Sequence, residues 1–247
     1  DPATPGALDG STNALKRDGK LILDESDAYG VEMALQLAAA NGGGDVNIVS
    51  MAPNGEMSGM RTALAMGAAK GVLISDPALA GSDALTTAKV LAAAIQKMGS
   101  ADLIIAATES SDGYTGTVPE QMAEILGLPS VTFAKKLTIN GSSLQANRQT
   151  EEGYDEVECP LPAVISVTAG VVEPRYPSFK GIMAAKSKPI DTFTASDLGV
   201  TPTGWAGAGQ KIVAVTQAEA RQAGEVIEDD GNAFNKIVSF LENLKAI

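Results

Sequence analysis

Apolar positions in the first half of the chain follow two periods in turn. Val31, Ala34, Leu35 and Ala38 recur at helical spacing and predict a helix over 27–40, which Asn41-Gly42-Gly43-Gly44 stops. Asp24 or Ser26 can cap it. A short apolar run at 46–51 predicts a strand, 57–66 a helix ended by Gly67, and 71–75 another strand. Ser82 or Asp83 caps a longer helix to Met98, with Leu85, Ala88, Leu91, Ala92 and Ile95 on one face. The unbroken run at 102–107 is a buried strand, 119–126 a helix, and 130–134 a strand. Strand and helix alternate with short connections, which predicts an α/β fold: a doubly wound, mainly parallel sheet covered on both faces. In such sheets ligands lie beyond the carboxyl ends of the strands, where the winding reverses. That selects the loops after Leu23, Val49 and Ala107. A sheet wound outward begins with its central strand, and no such strand precedes Leu21, so a further strand is expected upstream of this sequence.

From Lys135 the texture changes. Residues 137–139 and 144–148 flank Asn140-Gly141 and read as a hairpin. Glu151-Glu152-Gly153 turns the chain into 154–158, so a hairpin insertion is expected at about 135–160. An apolar strand follows at 162–167, then a proline-fixed loop, Glu173-Pro174-Arg175-Tyr176-Pro177, and a short helix over 179–185. Residues 1–188 are expected to form one nucleotide-binding α/β domain. Residues 189–247, with a short strand at 211–215 and an amphipathic helix at 232–245, read as an extended C-terminal arm that packs on a partner subunit. The alternative is a tail packing on its own domain.

Composition narrows the chemistry. Of 247 residues, 45% are hydrophobic, enough for a sizeable core, and only 4% are aromatic, which suits close-packed helices on a sheet. The net charge of −12 argues against nucleic acid as a partner, since that binding rests on Lys and Arg neutralising phosphates. No histidine is present and Cys159 is the single cysteine. Ser-His and Cys-His catalysis are thereby excluded, and no metal site is expected. A lone cysteine suits a reducing compartment, and the cytoplasm is expected. No apolar run approaches the length of a membrane helix, and no signal peptide is visible.

The stretch between the strand at 102–107 and the helix at 119–126 carries the candidate chemistry. Gly113 and Gly116 let the backbone approach a ligand, and Thr115 and Thr117 add hydroxyl donors. The helix start supplies unpartnered N–H groups and partial positive charge, an arrangement that holds a phosphate. The alternative is a loop whose Asp and Thr side chains only cap the helix.

Three segments resemble the electron-transfer flavoprotein beta subunit. They are Arg61-Thr62-Ala63-Leu64-Ala65-Met66-Gly67-Ala68; Leu128-Pro129-Ser130-Val131-Thr132-Phe133-Ala134; and Leu161-Pro162-Ala163-Val164 followed by Glu173-Pro174-Arg175-Tyr176. The resemblance runs in order from about Asp1 to Gly199, and the Glu-Pro-Arg-Tyr segment followed by Ile182-Met183 and Lys186 is its most specific part. The family's first strand would lie just upstream of Asp1. The resemblance implies an adenine-nucleotide-hydrolase-like fold and a heterodimer with an alpha subunit that binds FAD. It implies electron transfer from flavin dehydrogenases, such as acyl-CoA dehydrogenases, to a membrane quinone oxidoreductase or another acceptor. The beta subunit would be an electron-carrier component with no catalytic residues of its own, the redox chemistry belonging to the flavin. It would hold AMP, or a second FAD in electron-bifurcating members.

The family's nucleotide contacts fall on Asp24, Ser26 and Asp27; on Met51; and on Asp112, Gly113, Tyr114, Thr115, Gly116, Thr117, Val118 and Ala123. Asp24 and Glu25 depart from the family's usual Asn-Pro-Phe, and Tyr114 stands where an Asp is common. The family's docking loop falls on 173–188, with Glu173, Arg175, Tyr176, Phe179, Ile182 and Met183 as contact residues and Phe179 as the apolar anchor. Arg175 can instead brace the loop, by pairing with Glu173 or a carboxylate elsewhere. The runner-up functions are the bifurcating form and a stand-alone nucleotide-binding module.

Overall fold

A computed structural model describes residues 6–216, 224, 226–229 and 231–246. The chain begins with α1 (Glu25–Ala40), then β1 (Asn47–Met51), α2 (Ser58–Met66), β2 (Lys70–Ile74), α3 (Ala84–Met98), β3 (Leu103–Ala107) and α4 (Val118–Leu126). It continues through β4 (Ser130–Asn140), β5 (Ser143–Gln149), β6 (Tyr154–Pro160), β7 (Ala163–Val167), α5 (Phe179–Ala185), β8 (Ile190–Phe193), α6 (Gly204–Gly207) and α7 (Ala233–Asn243). Helix starts follow local chemistry. Asp24 accepts from the Ser26 N–H at the start of α1, and Asp83 accepts from the Thr86 N–H at the start of α3.

Strands fall into two groups. β1, β2 and β8 form a parallel sheet in the order β1-β2-β8. The second sheet runs β3-β7-β4-β5-β6, with β3, β7 and β4 parallel and the β4-β5-β6 meander antiparallel. The winding leads from β1 to β2 in one group and from β3 through β7 to β4 in the other. Among the described residues β1 pairs only with β2 and β3 only with β7. Their remaining edges border one cavity of about 1930 Å³ at the switch of winding. This is a doubly wound α/β arrangement, with the expected hairpin insertion built by β4, β5 and β6.

The core is divided by the sheets. Met33 and Leu37 of α1 pack on Val131, Leu137, Leu144 and Ile165. Val90 and Ala94 of α3 pack on Val72 and Ile74 of β2, and Met122 and Ala123 of α4 pack with Ala88 and Val164. Burying a side chain such as Leu64, Leu73 or Ile165, all fully enclosed, contributes roughly 1.5–3 kcal/mol each.

Two expectations for the C-terminal region meet a different structure. The boundary expected at Lys188 does not interrupt the chain, because the first compact unit extends to Val213. Ile190–Phe193 adds a parallel strand to β2, and Ala195 and Leu198 then pack against the β2–α3 cluster. The strand expected at 211–215 is absent: residues 211–216 adopt no regular structure, having no strand to pair with among the described residues. The second unit, Ala214–Ile247, holds α7, whose Phe234, Ile237, Val238 and Phe240 are exposed. Among the described residues no helix is long and apolar enough to cross a membrane, and no group of His, Cys, Asp and Glu could hold a metal ion. Cys159 is buried and unpaired.

Candidate functional site

Of the three loops selected by the winding, those after β1 and β3 line the cavity; residues 21–23 form no strand, and the segment after Leu23 reaches the cavity only through Asp27 of α1. The loop after β3 starts with Thr108, whose N–H and hydroxyl both donate to the Val167 carbonyl. Tyr114 and Gly116 then take left-handed backbone angles, φ 48° and 60°, and turn the chain into α4. At Gly116 this costs nothing sterically, whereas Tyr114 carries a conformation that side chains disfavour. Thr117 stands at the N-cap of α4 but gives no side-chain cap, and Pro119 lies in the first turn. The capping role open to the Asp and Thr side chains is therefore not taken, and the first-turn amides keep their capacity for an anion.

Carboxylates fasten the loops together. Asp24 caps α1 with one oxygen, and with the other accepts from the Ser111 N–H at 3.2 Å and from the Ser111 hydroxyl. Asp112 accepts from Arg17 Nη2 at 2.5 Å. Burial alone would raise the Asp112 carboxyl, but the hydrogen bond and charge of Arg17 outweigh it and hold the group below its ordinary value. Asp27 shows the opposite balance. Asp27 is exposed at the edge of the cavity, and the protein around its carboxyl removes part of its water. That desolvation, with the nearby charges of Asp24 and Asp112, pushes its carboxyl up to about 6.

Of the candidate nucleotide contacts, Asp27, Met51, Asp112, Gly113, Thr115, Gly116 and Val118 line the cavity together. Asp24, Ser26, Tyr114, Thr117 and Ala123 are not part of its lining. Tyr114 points to solvent, and Ala123 is enclosed in the cluster with Ala88 and Met122. Met51 also packs on the β2–α3 core, so it keeps a structural role.

The segment 173–188 is clamped at both ends. Near its start, Arg175 Nε donates to Glu32 Oε2 at 2.6 Å, Nη2 donates to Oε1 at 2.9 Å, and the Arg175 N–H adds a third bond to Oε2. Glu32 retains 3% exposure, so α1 offers a buried carboxylate as the fixed point of the loop. Arg175 thus takes the bracing role, and its partner is Glu32. At the far end Arg61 donates to the carbonyls of Ala185 and Lys188, while Lys188 Nζ donates to those of Leu64 and Ala68. Arg61 of α2 thus caps the end of α5, and Lys188, just past α5, caps the end of α2. Gly181 lets α5 sit on α2, since a Cβ there would lie 2.4 Å from the Ala65 carbonyl oxygen. Between the clamps Tyr176 is 93% and Phe179 81% exposed, with Ile182 and Met183 beside them. Glu173 is also exposed. Phe179 therefore points outward.

Comparison with known proteins assigns this architecture. A family model described as "Electron transfer flavoprotein domain" matches residues 12–198. The chain belongs to the electron transfer flavoprotein family. It is 40% identical over 245 residues to the electron transfer flavoprotein subunit beta of Mycobacterium tuberculosis, covering 97% of this chain and 92% of the relative. The subunit beta of Thermoanaerobacterium thermosaccharolyticum is 35% identical over 243 residues, covering 97% and 92%. The caffeyl-CoA reductase-Etf complex subunit CarD of Acetobacterium woodii is 35% identical over 196 residues, covering 79% of this chain and 75% of that protein. The resemblance read from the sequence is thus established for the beta-subunit family. Family membership supports a flavin-associated electron-transfer role and implies an alpha-subunit partner.

Sequence reasoning missed Arg17, Glu32 and Ser111. Glu32 carried a signal, since it interrupts the apolar stretch Val31-Glu32-Met33 at a position facing the core. Arg17 and Ser111 carried none: the Arg17–Asp112 and Ser111–Asp24 bonds join residues 95 and 87 positions apart.

Proposed function

We propose that this chain is the beta subunit of a heterodimeric electron transfer flavoprotein, that it holds AMP structurally, and that it presents 173–188 to partner dehydrogenases. FAD in the alpha subunit supplies the redox chemistry. This chain's residues bind and orient. The observation that carries the nucleotide assignment is the uncapped start of α4, opening with Gly113, Thr115 and Gly116 onto the cavity. Such a start offers backbone donors and partial positive charge to a phosphate. Docking is supported by the outward Tyr176 and Phe179 on a loop fixed at both ends. A rigid exposed aromatic loses little entropy when it enters a pocket. The apolar face of α7 supports packing of the C-terminal arm on the alpha subunit. The lone buried thiol accords with a reducing compartment such as the cytoplasm. A membrane quinone oxidoreductase is the acceptor this reading expects.

A second reading, FAD in place of AMP in this subunit, is favoured by the Asp112-Gly113, Thr115 and Val118-Pro119 spacing of the loop that opens α4. A stand-alone nucleotide-binding module would leave the exposed Phe179 patch and the face of α7 without a role. The test is to purify the heterodimer, denature it and identify what is released. One flavin with AMP supports the first reading, and two flavins the second. A single flavin with no other nucleotide overturns both.

A further inference from the structure

The cavity is acidic, and a phosphate has to be held there against that charge. Among the described residues that line it, Arg17 is the one cation, while the other charged side chains are carboxylates that include Asp27, Asp76, Glu109 and Asp112. A nucleoside monophosphate brings close to two negative charges at neutral pH. The first turn of α4 offers about half a positive charge in return. Arg17 already balances Asp112, so what it can add beside the glycine loop is further N–H donors, not net charge.

Its position is fixed rather than free. Nη2 is held by Asp112 at 2.5 Å, and Nη1 reaches the Leu15 carbonyl at 3.5 Å. A guanidinium carries five N–H donors in a planar fork, so donors remain for a phosphate oxygen while Asp112 stays engaged. Asp112, in the loop that leads to α4, thereby acts as a positioning residue that holds the fork beside that loop.

We propose that Arg17 recognises the 5′-phosphate of the adenosine moiety, the group that AMP and FAD share, alongside the first turn of α4. This rests on the nucleotide-binding reading above. The test compares nucleotide-depleted heterodimer carrying wild-type, Arg17→Gln or Arg17→Lys chain, titrated with AMP, FAD and adenosine. Loss of a charge-assisted hydrogen bond predicts that Arg17→Gln weakens whichever of AMP or FAD the wild type binds by about tenfold or more. Adenosine binding changes by less than about twofold, and Arg17→Lys recovers part of the loss. Unchanged binding of the phosphorylated ligand by Arg17→Gln overturns the proposal and leaves the nucleotide reading standing. Equal loss of adenosine and the phosphorylated ligand also overturns it, because Arg17 would then be supporting the cavity and not reading phosphate. Wild-type protein that binds neither AMP nor FAD refutes the nucleotide reading itself.

Discussion

Removing the guanidinium of Arg175 isolates a carboxylate that the fold has already taken out of water. Glu32 accepts Arg175 Nε at 2.6 Å and the Arg175 N–H at 3.2 Å on Oε2, and Arg175 Nη2 at 2.9 Å and Gln36 Nε2 at 2.8 Å on Oε1. In Arg175→Ala only the Gln36 and backbone bonds remain, and the charge has no counterion. Breaking a buried pair from one side costs roughly 3–5 kcal/mol. Arg175 is half exposed and the loop can shift to admit water, so about 3 kcal/mol is the expected loss. Glu32→Gln leaves a neutral group of the same shape and lets Arg175 return to solvent, for a cost of about 1 kcal/mol. The pH dependence separates this from ordinary loop damage. In the wild type burial would raise the Glu32 carboxyl, but the Arg175 hydrogen bonds and charge outweigh it and hold the group below its ordinary value. A depressed folded-state pKa stabilises above the unfolded value, and that stability is lost as pH falls through the folded value. In Arg175→Ala burial dominates, the carboxyl moves up, and stability falls as pH rises through the carboxylate range. The gap between the two proteins is therefore widest at neutral pH and closes toward about pH 4. Urea unfolding of the full chain at both pH values measures it. A gap that does not change with pH, or a loss under about 0.5 kcal/mol at neutral pH, refutes the assignment of Glu32 as the loop's anchor.

Phe179→Ala is expected to weaken association with a partner dehydrogenase by about 2 kcal/mol, read as a slower dehydrogenase-driven reduction of the flavin, with an unchanged melting temperature because the ring makes no core contact. Equal rates for both proteins would remove Phe179 from the docking surface. Asp27, raised to about 6 in the folded chain, lowers stability as pH rises from about 4 to 6, since the unfolded group ionises first. Asp27→Asn should therefore be more stable than wild type at pH 7 and equal to it at about pH 4, in thermal unfolding at the two pH values. Equal stability at pH 7 would contradict the crowded position given to this carboxyl.

The parts of the fold that were legible in the sequence are those governed by periodicity. α1 to α4 and β1 to β3 are apolar runs of one period each that fall within a few residues of their expected limits, whereas the strand expected at 130–134 runs on to Asn140 and absorbs the one expected at 137–139. β8 was not legible. Asp191 and Thr192 leave it no apolar run, and only its pairing with β2 makes it a strand. The reverse error at 211–215 has the same origin, because β-branched residues state a preference and a neighbouring strand decides. At the site, the glycine loop and the outward Phe179 could be read from local chemistry and family resemblance. The Arg17–Asp112 and Glu32–Arg175 pairs could not, because tertiary folding alone brings those residues together.

Hydrogen exchange of the α4 amides tests the central claim most directly. With AMP or FAD added to nucleotide-depleted heterodimer, the amides of Thr115, Gly116, Thr117, Val118 and Glu120 should exchange more slowly, while those of the β5–β6 hairpin keep their rates. Unchanged exchange at the start of α4 while ligand is demonstrably bound would place the phosphate elsewhere and contradict the account.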